Sequence, residues 1–225
     1  MNKNLTELVF ILDRSGSMSG LEADTIGGFN SLLARQRKEE GEALVSVVLF
    51  DDQTEVLYDR VPIAKTEDMT DRQYYVRGCT ALLDALGGAI HHIGQVHKYC
   101  GEENCPAKTL FVITTDGMEN ASHRYNSHEV KMMVERQKEK YGWEFLFLGA
   151  NIDAVETASH FGIGADRAVD YNCDEEGTLL NYKVISETVA SVRRSKACSA
   201  AMAMKESPAD WSAEIRKDYE KRKRQ

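Results

Sequence analysis

The chain has 225 residues, of which 42% are hydrophobic and 28% are charged, a composition typical of a folded protein built around one large domain. Its formal net charge of −8 argues against a general nucleic-acid binder, because such proteins are usually basic. No apolar run approaches the roughly 18 residues that span a bilayer, and the apolar stretch near the N-terminus is too short for a signal peptide. We therefore expect a cytoplasmic protein that contacts no membrane.

Strand-like apolar runs alternate with helical patterns along most of the chain. The predicted strands are residues 7–12, 43–50, 54–63, 108–115, 143–150 and 167–172. The predicted helices are residues 21–39, 82–99, 127–142, 153–162 and 178–195. This alternation predicts an α/β fold with a doubly wound, mostly parallel central sheet. Pro62 closes the third strand and marks it as an edge strand.

The pattern weakens after residue 195. We therefore predict one domain over residues 1–195 and a helical, basic extension over residues 196–225. Trp211 is the aromatic residue expected to anchor this extension. The basic residues from Lys221 to Arg224 are expected to stay solvated, since a run of like charges usually lies on a solvent-exposed face.

Two aspartates follow predicted strands at the point where each strand ends. Asp13 comes directly after the first strand, and Asp116 comes after the apolar run LFVITT. If the sheet has the order 3-2-1-4-5-6, these strands are neighbours that flank the switch point, where open parallel sheets bind ligands. Two buried carboxylates without a counter-ion would repel each other, and a divalent cation would remove that cost.

Serine hydroxyls accompany the first aspartate. Asp13, Ser15 and Ser17 lie two residues apart in DRSGS, and Gly16 gives the loop freedom to turn these side chains to one side. Hydroxyl and carboxylate oxygens suit a hard cation such as Mg²⁺. Because hydroxyls add no negative charge, a cation held in this way can accept one further anion.

These residues resemble the metal-ion-dependent adhesion site (MIDAS) of von Willebrand factor type A (VWA) domains, of the bacterial cytosolic type. DRSGSM matches the DxSxS opening of that site. RGCTALLDAL places Thr80 in the G-x-T-x-L setting of the family, and ITTDGMEN places Asp116 in its T-D-G setting. The resemblance spans residues 5–195 and implies a Rossmann-like sheet of order 3-2-1-4-5-6 with an antiparallel edge strand.

The resemblance also implies a function. Asp13, Ser15, Ser17, Thr80 and Asp116 would hold Mg²⁺ or Mn²⁺, and a partner protein would complete the coordination with an Asp or Glu carboxylate. The chain would then be a protein-interaction module rather than an enzyme. By analogy with bacterial cytosolic members of the family, it would serve as a scaffold in a stress-response or metal-resistance system.

The same residues allow two other interpretations. DRSGS could be an ordinary turn and helix cap, with Ser19 as the capping residue. A Mg²⁺-dependent phosphohydrolase of the haloacid-dehalogenase-like type would use Asp13 as nucleophile, but its DxDxT motif needs a second aspartate where this chain has Ser15.

Three further features of the sequence bear on local structure or on a second metal site. Asp51 and Asp52 could form a second cation site, but a solvated turn is the favoured interpretation. Asn151 or Asp153 is expected to cap the helix that follows. A zinc site at Cys100 and Cys105 with the nearby histidines is disfavoured, because structural zinc sites usually have tighter paired spacing.

Overall fold

The computed structural model describes residues 1–207 and 210–223. Its strands are β1 (Asn2–Asp13), β2 (Glu42–Phe50), β3 (Thr54–Pro62), β4 (Pro106–Thr115), β5 (Glu144–Gly149) and β6 (Ala168–Asp170). Its helices are α1 (Glu22–Gln36), α2 (Leu82–Tyr99), α3 (Ser127–Tyr141), α4 (Ala154–His160), α5 (Glu175–Arg194), α6 (Ala200–Glu206) and α7 (Ala213–Lys223). In this part of the chain, no helix has both the length and the apolar character needed to cross a bilayer.

The six strands form one sheet in the order β3-β2-β1-β4-β5-β6, which confirms the predicted order. All neighbouring strands are parallel except β2 and β3, which pair antiparallel as an edge hairpin. The chain passes from β1 to β2 on one side of β1, and β4 lies on the other side of β1. The switch point of the doubly wound sheet therefore lies between the C-terminal ends of β1 and β4.

Helices cover both faces of the sheet, and alternate residues of β1 point to opposite faces. Phe10 and Leu12 pack in a cluster with residues of α1, α5, α6 and α7. Val9 and Ile11 pack in a second cluster with residues of α2, α3 and α4. Because both faces are buried, the central strands need apolar residues at nearly every position, which explains the continuous runs in the sequence.

Helix α3 shows how local sequence fixes the ends of these elements. Asn126 accepts a hydrogen bond from the backbone N–H of Glu129, whose side chain accepts one from the N–H of Asn126, a reciprocal capping box. Gly142 ends the helix in the left-handed region at φ 62°. Helix α1, by contrast, has Leu21 at its N-cap, so the alternative interpretation of Ser19 as a capping residue is not supported.

The C-terminal extension packs against the domain through α6 and α7. Trp211 is half-buried and donates from Nε1 to the backbone oxygen of Asp166 at 2.9 Å, and Ile215 is buried in the core. The prediction of a solvated basic run is wrong for Arg222, which forms ion pairs with Asp174, Glu176 and Asp218. Lys221 and Lys223 are exposed, and Arg224 lies outside the described residues.

Candidate metal site

Asp13 and Asp116 lie side by side at the switch point of the sheet. Asp13 is the last residue of β1, and Asp116 directly follows β4, with Leu12 of β1 paired in register with Thr114 of β4. Both carboxylates are buried, with 1% and 2% of the residue exposed. The parallel register thus brings together two acidic side chains that are 103 positions apart in sequence.

Backbone and hydroxyl donors hold the Asp13 carboxylate in place. Its Oδ1 accepts from the N–H of Ser15 at 2.7 Å, and its Oδ2 accepts from Thr115 Oγ1 at 2.6 Å and from the N–H of Asp116 at 3.3 Å. Burial raises the pKa of Asp13, and the hydrogen bonds from Thr115 and Ser15 oppose that shift. The donors orient the carboxylate without neutralising its charge.

Three hydroxyl groups converge beside the carboxylates. Ser15 Oγ lies 3.1 Å from Ser17 Oγ, and Thr80 Oγ1 donates to Ser15 Oγ at 3.1 Å. The two loops that carry them are joined where the N–H of Gly16 donates to the backbone oxygen of Gly78 at 3.1 Å. The structure therefore brings Ser15, Ser17 and Thr80 together, as the resemblance implies.

A missing side chain at Gly117 leaves space next to these hydroxyls. A Cβ at this position would lie 3.4 Å from Ser17 Oγ and 3.5 Å from Thr80 Oγ1. Gly117 directly follows Asp116, so any larger residue would put carbon atoms beside the oxygen atoms of the cluster. The glycine keeps this space free for a small ligand.

No lysine, arginine or histidine forms an ion pair with Asp13 or Asp116 in the described part of the chain. Arg14 is adjacent to Asp13 in sequence, yet its guanidinium pairs with Asp51 at 2.7 Å and Glu55 at 2.8 Å. The two buried carboxylates therefore have no counter-ion among residues 1–207 and 210–223. Two carboxylates and three hydroxyls form an all-oxygen donor set, and this set fits a hard divalent cation.

Two donors that the sequence patterns did not indicate contact Asp116. Asn151 Nδ2 donates to its Oδ1, and Cys173 Sγ donates to its Oδ2 at 2.8 Å. Asn151 follows β5 with φ 55°, a left-handed conformation that asparagine tolerates better than most residues. Of the two expected helix caps, Asp153 caps α4 by accepting from the N–H of Glu156, whereas Asn151 contacts the acidic site.

The interpretation of Asp51 as part of a solvated turn is wrong. Asp51 is fully buried and accepts hydrogen bonds from Arg14 Nε at 2.7 Å, Arg77 Nε at 2.8 Å and the N–H of Gln53 at 2.8 Å. Arg77 also donates its backbone N–H to the backbone oxygen of Arg14 at 2.9 Å. The Asp51 ion-pair cluster, defined as Asp51, Arg14, Arg77 and Glu55, therefore joins the loop after β1 to the loop before α2.

The disfavoured zinc site at Cys100 and Cys105 gains no support. Within residues 1–207 and 210–223, no three His, Cys, Asp or Glu side chains are grouped so that they could hold a metal ion. His97 instead contacts the buried carboxylate of Glu7 at 3.1 Å. The five proposed ligands at the switch point include two such residues, Asp13 and Asp116, and the other three are hydroxyl groups.

Comparisons with known proteins identify the fold. No family model and no curated protein matches the sequence. Among solved structures, the pilus adhesin SpaC from Lactobacillus rhamnosus GG in its open conformation is 11% identical, with a TM-score of 0.62 over 83% of this chain and 30% of the adhesin. The von Willebrand factor type A protein from Catenulispora acidiphila is 13% identical, with a TM-score of 0.56 over 83% of this chain and 42% of that chain.

A third similar structure is proximal thread matrix protein 1 from the mussel byssus, described with a zinc-occupied MIDAS motif. It is 13% identical, with a TM-score of 0.54 over 82% of this chain and 46% of that chain. The present chain thus spans less than half the length of each of these three proteins. With the sheet order and the helices on both faces, these similarities show that the chain has the von Willebrand factor type A fold.

Proposed function

We propose that this chain is a divalent-metal-dependent protein-interaction module. The observation that carries the proposal is the adjacent pair of buried carboxylates, Asp13 and Asp116, which have no counter-ion among the described residues. The hydroxyls of Ser15, Ser17 and Thr80 form a cluster that borders Gly117, the residue after Asp116. The zinc-occupied motif of the mussel protein, on the same fold, supports a metal at this position.

In this proposal, Asp13 and Asp116 supply the negative charge that holds Mg²⁺ or Mn²⁺. Ser15, Ser17 and Thr80 supply neutral hydroxyl oxygens. When bound, the cation provides a positive centre that attracts an Asp or Glu carboxylate of the partner protein. Two carboxylates and three neutral hydroxyls balance the divalent charge without an excess of negative charge, so they leave the cation able to coordinate a further anionic ligand directly.

The protein residues around the site orient these ligands. Thr115 and the N–H of Ser15 fix the two oxygens of Asp13, while Asn151 and Cys173 contact the two oxygens of Asp116. Asn120 fixes the Thr80 backbone, since its side-chain oxygen accepts from the N–H of Thr80 at 2.9 Å.

Thermal unfolding tests the metal site. Mg²⁺ at a hundredfold excess over Kd stabilises the native state by about 2.7 kcal/mol. For a domain of this size, that shift corresponds to an increase in Tm of roughly 5–11 °C. We expect the increase in the wild type relative to EDTA, no increase in Asp13→Ala, and a wild-type increase in the control Asp71→Ala, which removes an exposed carboxylate.

A second variant keeps the test informative if Asp13→Ala does not fold. Ser17 is exposed, so Ser17→Ala should fold normally and bind Mg²⁺ more weakly. An equal Tm increase in the wild type and both site variants would contradict the metal assignment. Affinity capture in Mg²⁺ and in EDTA then tests whether a partner needs the metal.

We also propose that the chain is not an enzyme and that it acts in the cytoplasm as a scaffold of a bacterial stress-response or metal-resistance system. The support for this part is the family resemblance and the presence of Ser15 where a phosphohydrolase would carry its general acid. Mg²⁺-dependent hydrolysis of p-nitrophenyl phosphate by the pure protein, if lost in Asp13→Asn, would refute the proposal that the chain is not an enzyme.

A further inference from the structure

A basic cleft lies at the opposite end of the sheet from the candidate metal site. It has a volume of about 720 Å³, and its lining includes four basic side chains, those of Lys3, Arg193, Arg194 and Lys196, with Glu40 as its acidic residue. Lys3 is the second residue of β1, and Asp13 is the last residue of the same strand. At ~3.3 Å per strand residue, the cleft and Asp13 are separated by roughly 30 Å.

Arg193 is a buried cation whose charge is solvated by backbone oxygens. Only 8% of the residue is exposed. Its guanidinium donates to Gln36 Oε1 at 3.1 Å and to the backbone oxygen of Gly41 at 3.0 Å. It also contacts the backbone oxygen of Gln36 at the end of α1. Its Nε is buried and has no hydrogen-bond partner in residues 1–207 and 210–223. Because this donor is closed off from solvent and the other guanidinium nitrogens contact protein oxygens, Arg193 contributes positive charge to the cleft rather than a free hydrogen-bond donor.

A second buried cation lies directly behind the cleft. Lys108 is 2% exposed, and its ammonium group donates to the backbone oxygens of Arg193 and Ser195. No carboxylate is within ion-pairing distance of Lys108 or Arg193 in the described part of the chain. The nearby carboxylate of Glu39 pairs with Arg194 at 3.5 Å instead.

The electrostatic balance of this region is incomplete. Burying a charge without an opposite charge is costly, because carbonyl dipoles replace only part of the lost hydration. Burial accordingly lowers the pKa of both Lys108 and Arg193. Lys3 and Lys196 add exposed positive charge with no ion pair to another described residue, in a chain whose net charge is −8. A bound anion would supply the missing negative charge.

We propose that this cleft binds a ligand that carries phosphate groups, with Arg193 at its base and Arg194, Lys196 and Lys3 around its opening. A multiply charged anion fits four basic side chains better than a single carboxylate does, since each positive charge adds to the attraction. The volume of the cleft exceeds that of one phosphate group, so a ligand of pyrophosphate size or larger fits. The site is independent of the proposed metal-dependent function.

Calorimetric titration of pyrophosphate into the full chain tests the proposal. EDTA is present throughout, so that pyrophosphate cannot bind through a metal at the other end of the sheet, and chloride is adjusted to constant ionic strength. We expect saturable binding by the wild type and at least a tenfold weaker affinity for Arg194→Ala/Lys196→Ala, since hydrogen bonds to charged groups contribute roughly that much. Both residues are exposed, so this double variant should fold.

Lys140→Ala/Lys217→Ala is the matched control, because it removes two exposed lysines elsewhere on the surface. It should bind pyrophosphate with wild-type affinity. Absence of saturable binding, or equal weakening in both double variants, would overturn the site. Citrate serves as a carboxylate of comparable charge, and binding of citrate as tight as that of pyrophosphate would overturn the assignment to phosphate.

Discussion

Replacing Asp51 with asparagine tests how the loops of the candidate site are held. The substitution keeps the shape of the side chain but removes the charge that Arg14 and Arg77 share. Arg14 and Asp51 are both fully buried, so the variant leaves a buried guanidinium without its nearest carboxylate. Breaking a buried pair in this way costs about 3–5 kcal/mol.

We expect a loss near the lower limit, about 3 kcal/mol, because Arg14 keeps one other carboxylate. Glu55 remains 2.8 Å from its Nη1, although that side chain is 47% exposed and therefore partly screened by water. For a domain of 150–250 residues, this loss lowers Tm by roughly 6–12 °C. Arg77 contributes less to the loss, since its side chain is 38% exposed.

Urea unfolding followed by circular dichroism measures the change, with Asp71→Asn as the control for loss of an exposed carboxylate. The slope of the transition should be unchanged, so that the midpoint alone reports stability. A loss below about 1 kcal/mol would show that water or other groups satisfy Arg14, and would refute the argument from burial.

The same variant has a pH signature. Burial alone would raise the pKa of Asp51, but the hydrogen bonds from Arg77, Gln53 and Arg14 outweigh it and lower the pKa overall. A lowered pKa means that the stabilisation is complete above the unfolded value of about 3.9 and is lost as the pH falls through the folded value. The stability difference between wild type and Asp51→Asn should therefore be constant near neutral pH and shrink below about pH 4.

Three further predictions concern groups around the site. Asp84 accepts hydrogen bonds from three backbone N–H groups, those of His123 at 3.0 Å, Arg124 at 2.8 Å and Tyr125 at 2.9 Å. Asp84→Ala should therefore speed hydrogen exchange of these three amides, whereas the control Asp71→Ala should not. Asn151→Gly and Asn151→Ala both remove the donor to Asp116 and should weaken Mg²⁺ binding equally, but the alanine variant should be about 1 kcal/mol less stable because its φ must stay positive. Thr80→Ala should weaken partner binding more than Mn²⁺ binding, and Thr80→Ser should restore both; equal losses in the alanine variant would reduce Thr80 to a plain ligand.

The sheet was predictable because its strands carry their own signal. Central strands buried on both faces must be apolar along their length, and the runs around Leu12, Ile113 and Phe147 meet that condition. The strand ends were predictable for a related reason, since Asp13 and Asp116 interrupt apolar runs abruptly. The short strand β6 pairs only over three residues, and its sequence signal was correspondingly weak.

The buried polar contacts were not predictable, because they depend on tertiary partners. Asp51 and Asp52 follow a strand as two adjacent acids, a pattern typical of exposed turns, and only the return of Arg14 and Arg77 from distant loops buries Asp51. The ion pairs of Arg222 also depend on tertiary partners, and a basic run in the sequence gives no sign of them. Three acidic side chains, two of them on another helix and its cap, surround Arg222 in the fold.

The Asp51 ion-pair cluster bears directly on the proposed metal site. Arg14 follows Asp13 in sequence, and a guanidinium turned toward Asp13 would compensate its charge. A divalent cation would then have to compete with an internal positive charge. Asp51 and Glu55 bind the guanidinium instead, so no described cation compensates the charge of Asp13 at the switch point. In the proposed function, Asp51 therefore keeps the carboxylates free for the metal and joins the two loops that carry Ser15 and Thr80, although it never contacts the ion.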